Sequence, residues 1–365
     1  MLKCLKRMRG MEFKEKMIYT ESPDTGDRYR KYYADGLKEY LQRLNAEGKE
    51  KRRAHMPPES FGERIEEYRL EYMRMLGIDK MDVSAPQSYD CTEVGVDGMC
   101  KIYRYVLHMN EGIPFYGLLF VPNGLQGPVP FLVAQHGSGG TPELCSDMIG
   151  NNNYKSMVRR AVGRGAVVFA PQLLLWRYRD DNSPTQRQHP IPYDRRAIDV
   201  SLKRFGLSVT GLEITYIRRA ISFFSQMDIV DPEKIGMVGH SYGGYFTLHT
   251  MAADTRIKAG YASSFFNNRD FYTNFNDWCY KDSGNLFQDA EVAALCAPRG
   301  LFVSVGKSDD IFDYRHSLPE AERAKEYYET LGKGENFEFC LWDGGHSISP
   351  TDEGFDFLFS VLAKE

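Results

Sequence analysis

The sequence predicts an α/β fold: a doubly wound, mostly parallel sheet with an N-terminal helical extension. Three observations predict it. From Pro130 onward, short apolar runs alternate with helical patterns, which is how a parallel sheet with helices on both faces is built. Ahead of that point, two amphipathic helical stretches lead into a pair of alternating runs near Cys100. The chain is also 365 residues long and 42% apolar, enough to bury a large core in one domain with an appendage or in two medium domains.

In chain order, the opening "MLKCLKRMRGMEFKEKM" is basic but has neither the apolar stretch nor the small-residue cleavage site of a secretory signal, so a cytoplasmic location is expected. Residues 27 to 46 then place Tyr33, Leu37, Tyr40, Leu41 and Leu44 on one helical face. After "PPES", Phe61, Ile65, Tyr68, Tyr72, Met73 and Leu76 repeat the pattern. These stretches define a helical extension over residues 1–90 and a main domain over 91–365. The runs "KIYRYVLHM" and "IPFYGLLFV", joined by "NEG", read as an antiparallel hairpin. The alternating series follows: "PFLVAQ", a helix near Tyr154 to Arg164, "AVVFA", a helix near Leu207 to Gln226, "IGMVG" and a helix after Gly243. It continues through "IKAGYAS", "GLFVSVG", a helix near Pro319 to Leu331, "FEFCLW" and a last helix from Asp352. Two stretches break the alternation, 171–206 and 265–289. Both are longer than simple connections and rich in aromatic, charged, Pro and Asn residues.

Composition narrows the function classes. Lys plus Arg number 46 against 50 Asp plus Glu, a net charge of −4, so there is no basic footprint for nucleic acid. No apolar run reaches the length of a membrane span. The seven cysteines are scattered and never form C-x-x-C, which argues for buried reduced thiols rather than a disulfide framework or thiolate zinc site. The eight histidines show no metal-ligand spacing. No metal site is expected.

The chemistry concentrates at strand ends, where open α/β sheets bind their ligands. In "KIGMVGHSYGGYFTLHTMAA", Ser241 lies in G-x-S-x-G between a strand and a helix. Glycines there permit a sharp turn that exposes the hydroxyl. A serine hydroxyl is nearly inert at neutral pH without a positioned base. Of the histidines downstream, His249 falls within the following helix and reads as a packed residue, and His316 follows the acidic turn. His346, in "LWDGGHS" after a strand, is placed to turn back over the sheet. The acid comes from "LFVSVGKSDDIFD", with Asp309 favoured over Asp310 and Asp313 because it is nearest the strand. Two backbone donors are expected for a developing oxyanion. One is Tyr242 N–H, after the nucleophile. The other is Ser138 N–H in "VAQHGSGGT", with Gly139 as the alternative. In the stretch 263–285, Tyr272 and Trp278 are candidate substrate-binding aromatics, with Phe271 beside them and Asn268, Arg269 and Asp270 as polar contacts. The competing expectation is a hydrophobic cluster beneath a long loop.

On "HGSGG", "GHSYGG", "GKSDD" and "DGGHS", the chain resembles the α/β-hydrolase superfamily over roughly residues 100 to 365. The resemblance implies an eight-stranded, mostly parallel sheet and a Ser241, Asp309, His346 triad that works without a cofactor. In style it is similar to the acetyl-xylan-esterase-like and dienelactone-hydrolase-like group, whose motifs overlap those of prolyl-oligopeptidase-type peptidases. The leader ending "YRLEYMRMLG" and the following "GIPFYGLLFVPNG" resemble the opening of acetyl-xylan-esterase-like bacterial proteins. Dienelactone hydrolases use cysteine where this chain has Ser241, which disfavours that activity. The leader is too short for a β-propeller, and the adjacent Glu66 and Glu67 point in different directions on a helix. The expected activity is hydrolysis of a small-molecule carboxylic ester through an acyl-enzyme. The alternatives are a peptidase or amidase with the same residues, or a silent binding protein. The sequence leaves the oligomeric state open.

Overall fold

The computed structural model describes residues 20–148, 153–175, 194–272 and 276–364. The basic opening with Cys4, and most of the stretch predicted at 171–206, lie outside the described residues. The chain divides between Glu47 and Gly48 into two compact units. The first contributes the opening turns of helix α1 (Pro23–His55), whose tyrosine and leucine face is exposed. The second runs from Gly48 to Glu365.

The boundary drawn at residue 90 is therefore corrected. Helix α2 (Ile65–Leu76) belongs to the large unit, with Phe61, Tyr68, Tyr72 and Leu76 buried in its main core and Ile65 and Met73 packed against it. The extended region also begins earlier than residue 91, at strand β1 (Ser88–Val96).

Among the described residues, nine strands form one sheet. They are β1, β2 (Cys100–His108), β3 (Pro114–Pro122), β4 (Val129–Gln135), β5 (Val167–Pro171), β6 (Val230–His240), β7 (Ile257–Ser263), β8 (Gly300–Gly306) and β9 (Phe337–Trp342). Their order is β1-β2-β3-β5-β4-β6-β7-β8-β9. The first three strands form an antiparallel meander, and β3 joins β5 antiparallel. Every pairing from β5 across to β9 is parallel. Among the described residues the sheet thus has nine strands, not eight. The added one, "SYDCTEVGV", is exposed along nearly its whole length and lacks an apolar face.

Period-two alternation sends side chains to both faces. Phe131 and Val133 enter one core cluster while Leu132 and Ala134 enter the other. Helix α3 (Met157–Val162) covers the second face together with a C-terminal helix described below. The first face is covered by α2, α5 (Val209–Phe224), α6 (Tyr242–Ala253), α7 (Asp289–Cys296) and α8 (Tyr314–Thr330), and the C-terminal helix on the second face is α9 (Glu353–Leu362). A short helix, α4 (Arg195–Lys203), precedes α5. The sheet is doubly wound. After β5 the chain returns across β4 to form β6, so the topological switch lies between β4 and β6, where such sheets place their ligands.

Of the six described cysteines, Cys100, Cys145 and Cys296 are buried, whereas Cys91 and Cys279 are exposed and Cys340 is intermediate. The expectation of mostly buried thiols holds for only half of them. Among the described residues, no helix is long and apolar enough to cross a membrane.

Candidate active site

Strand β6 ends at His240 and α6 begins at Tyr242, so Ser241 alone makes the turn. Its backbone stands at φ 57°, ψ −123°. A non-glycine residue keeps such a conformation, at a cost of about 1–3 kcal/mol, only where its surroundings impose it. Ser241 N–H donates to Ser263 O at 2.8 Å, and Ser241 O accepts from Tyr245 N–H at 3.0 Å. The flanking glycines are required by crowding. A Cβ on Gly239 would overlap the Gly243 carbonyl, and one on Gly243 would overlap that of Gln135.

The loop after β4 lies against this turn: a Cβ on Gly137 would stand 3.0 Å from Ser241 Cβ. Its amides are mostly committed. Gly137 N–H donates to Tyr154 Oη at 2.9 Å, Gly139 N–H to Leu175 O at 2.7 Å and Gly140 N–H to Gly137 O at 3.0 Å. Ser138 N–H has no acceptor among the described residues, and the alternative donor, Gly139, is already engaged. Tyr242, the residue after Ser241, is the first residue of α6.

The acid and histidine loops follow β8 and β9. They are tied together by Lys307 N–H to Trp342 O at 2.9 Å and Ser308 N–H to Gly344 O at 2.8 Å. His346 Nδ1 meets Asp309 Oδ2 at 2.9 Å. The Asp309 side chain is fully buried, and the His346 side chain keeps 12% of its surface exposed. The other carboxylate oxygen of Asp309 accepts from Ile311 and Phe312 N–H, both at 2.9 Å, so the carboxylate is oriented from two sides. Asp310 is exposed. Asp313 caps α8 and pairs with Arg315. The His346 ring is 4.8 Å from that of His240, the residue before Ser241. Ser264 Oγ donates to Ser347 O at 3.0 Å, linking the histidine loop to the end of β7 that holds Ser241.

The other histidines stand elsewhere. His249 is buried in α6 against Tyr72 and Tyr245. His316 stacks on Phe271 at 3.8 Å and meets Tyr272 Oη through Nδ1.

The aromatic stretch is mainly packing. Trp278 is 7% exposed, stacked on Tyr245 and covered by the Arg269 guanidinium 4.5 Å from its ring centre. This corrects the expectation of a wall residue, because a bound molecule could reach no more than its edge. Arg269 is held by Asp289 at 2.8 and 2.9 Å, and Asp270 accepts from Gln288 Nε2 at 2.7 Å. Both side chains are thus engaged within the protein. Tyr272 is half-buried and borders a surface depression with Lys307, Asp309 and Asp310.

Motif reading passed over several polar groups here. Asn153 Nδ2 donates to His240 Nε2 at 2.9 Å, and Asn153 O accepts from Ile348 N–H at 3.0 Å. Burial, with the nearby His346 adding to it, holds the His240 imidazole well below the usual histidine range. Burial likewise pushes His136 down to about 4. Tyr242 Oη donates to Asp277 at 3.0 Å, and Asp277 also binds Arg195 at 2.8 Å. Arg195 reaches Glu213 at 2.8 Å. Burial opposes charge on Arg195, but Glu213 and Asp277 keep it protonated. No local motif marks this chain, because its members come from α4, α5, α6 and the 265–289 stretch.

Comparison with solved structures decides the fold. A putative acetyl xylan esterase from Bacteroides fragilis is similar at a TM-score of 0.61 and 16% identity, covering 76% of each chain. A glucuronoyl esterase from Solibacter usitatus matches at a TM-score of 0.57 and 14% identity, over 81% of this chain and 92% of that one. The chain has the α/β-hydrolase fold. Acetyl xylan esterase 1 from Thermoanaerobacterium sp. JW/SL YS485 is a third α/β-hydrolase likeness, with a TM-score of 0.54 and 15% identity over 82% of this chain and 94% of that one. The model of the prolyl oligopeptidase family matches residues 215–349. That span of the α/β-hydrolase sheet runs from α5 through the Ser241 turn and the Asp309 loop to just past His346. No curated protein matches the chain.

Proposed function

We propose that the protein is a serine hydrolase that cleaves carboxylic esters of small molecules through an acyl-enzyme on Ser241. The observation that carries this reading is the 2.9 Å bond between His346 and a buried Asp309, one ring away from the strained Ser241 turn. With Nδ1–H donated to Asp309, His346 Nε2 is the nitrogen that accepts a proton. Ser241 Oγ attacks the ester carbonyl while His346 takes its proton. The oxyanion is held by Ser138 and Tyr242 N–H. His346 then returns the proton to the departing alkoxide. Water attacks the acyl-enzyme by the same route, releasing the acid. Asp309 orients the imidazole and stabilises its charged form without taking the proton.

The substrate class proposed is an acylated carbohydrate or a similar small ester, by analogy with the acetyl xylan and glucuronoyl esterases whose fold the chain shares. The family-model match over residues 215–349 favours a second reading, a peptidase or amidase with the same residues. Paired assays separate the two. Turnover of p-nitrophenyl acetate and acetylated xylo-oligosaccharides without cleavage of aminoacyl anilides is the expected result. Preferential cleavage of the anilides would replace the esterase reading with the second.

A further inference from the structure

The catalytic reading leaves the N-terminal unit unused. Along α1, residues Tyr29, Tyr32, Tyr33, Leu37, Tyr40 and Leu41 recur at the spacing of a single apolar face. That face is open: the four tyrosines are 59%, 78%, 70% and 50% exposed, and the two leucines 45% and 56%. An aromatic side chain can contribute roughly 150–250 Å², so these tyrosines alone present on the order of 500 Å². This is near the upper end, about 600 Å², of the largest patch on a typical monomer. Patches of that size are often functional.

Two further observations indicate what covers it. Between residues 23 and 47 there are five acidic and five basic side chains. Several of them neutralise each other along the helix, as in the Arg30–Asp27 and Lys31–Asp35 pairs. A helix built for an anionic lipid surface carries an excess of Lys and Arg instead. Balanced charge meets no net repulsion from an identical copy. The second observation is Gly36, in the middle of the face. Glycine inside a helix costs about 1 kcal/mol relative to alanine, yet a Cβ there would meet nothing within 4 Å. Nothing described in this chain requires glycine at that position, whereas a second backbone approaching closely would. Two copies of the face buried against each other remove on the order of 1,000 Å², the size at which a specific interface begins. A two-fold axis also makes one patch complementary to itself.

We propose that this face of α1 is where a second copy of the chain docks, the two helices crossing at Gly36. The test uses the full chain. Sedimentation equilibrium from about 1 to 100 μM should give a dimer that dissociates on dilution by mass action. The double variant Tyr33→Glu/Tyr40→Glu, which places charge in the contact, should be monomeric with unchanged circular dichroism and unchanged ester hydrolysis. Under mild oxidation, Gly36→Cys should form a disulfide-linked dimer much faster than Lys38→Cys, which lies on the polar face. This arm stays informative if the double variant misfolds. A monomeric wild type, a dimer that survives in the double variant, or equal cross-linking of the two cysteine variants would overturn the proposal. So would co-sedimentation of the wild type, but not the double variant, with vesicles of phosphatidylcholine and phosphatidylglycerol, which would assign the face to lipid.

Discussion

At the scale of single residues, three carboxylates lie within five positions of one another after β8, and their environments separate their roles. Asp309 is buried on His346 and two backbone amides, Asp310 faces solvent, and Asp313 closes the first turn of α8. The difference gives a direct prediction. Asp309→Asn keeps the shape but favours the wrong imidazole tautomer, so kcat should fall by about 10⁴ as in other sites of this type, while Asp310→Asn should stay near wild type. Steady-state kinetics on p-nitrophenyl acetate check it, and equal losses would remove Asp309 from its role.

At the scale of elements, the 265–289 stretch acts as a seam between the sheet and its helices. Trp278 packs on Tyr242 and Tyr245 of α6 and on Phe265, and its neighbour Asp277 joins Tyr242 to Arg195. Trp278→Ala should therefore cost about 3–5 kcal/mol of stability and leave KM for small esters nearly unchanged, measured by urea denaturation alongside kinetics. A raised KM with full stability would return the stretch to the binding wall expected from its aromatics. Elements with regular apolar periods, from "PFLVAQ" to "FEFCLW", were legible because burial on both faces imposes that pattern. The turn at Ser241 and the loops that carry Asp309 and His346 were legible because each follows such a strand. β1 was not, since a polar edge strand exposed on both sides has no apolar face to read. The Arg195–Asp277–Tyr242 chain was equally invisible, because it joins residues 82 and 35 positions apart through tertiary packing alone. Trp278 was misread for a related reason: an aromatic in an irregular stretch looks the same in sequence whether it lines a cleft or fills a core.

At the scale of the whole molecule, stability should depend on pH through its buried imidazoles. His136 accepts Leu173 N–H at 3.1 Å and is held neutral, its value lowered by burial from 6.5 to about 4. The unfolded chain takes up this proton below about pH 6.5 and the folded chain does not, so stability is complete above that value and is lost as the pH falls toward 4. His240, lowered in the same direction, adds to the slope. Between about pH 7 and pH 5, His136 alone should remove about 2 kcal/mol, read from urea midpoints. A flat profile would show that these rings are not buried neutral.

The central claim is that Ser241 is a nucleophile activated from the His346 side of the sheet. Its most direct test is intact-mass and peptide mapping after exposure to a fluorophosphonate, which phosphonylates only an activated serine. One adduct per chain, located on Ser241, absent in Ser241→Ala and formed far more slowly in His346→Ala, is the result expected. A wild-type chain that stays unlabelled while correctly folded, or an adduct that persists in Ser241→Ala, would contradict it.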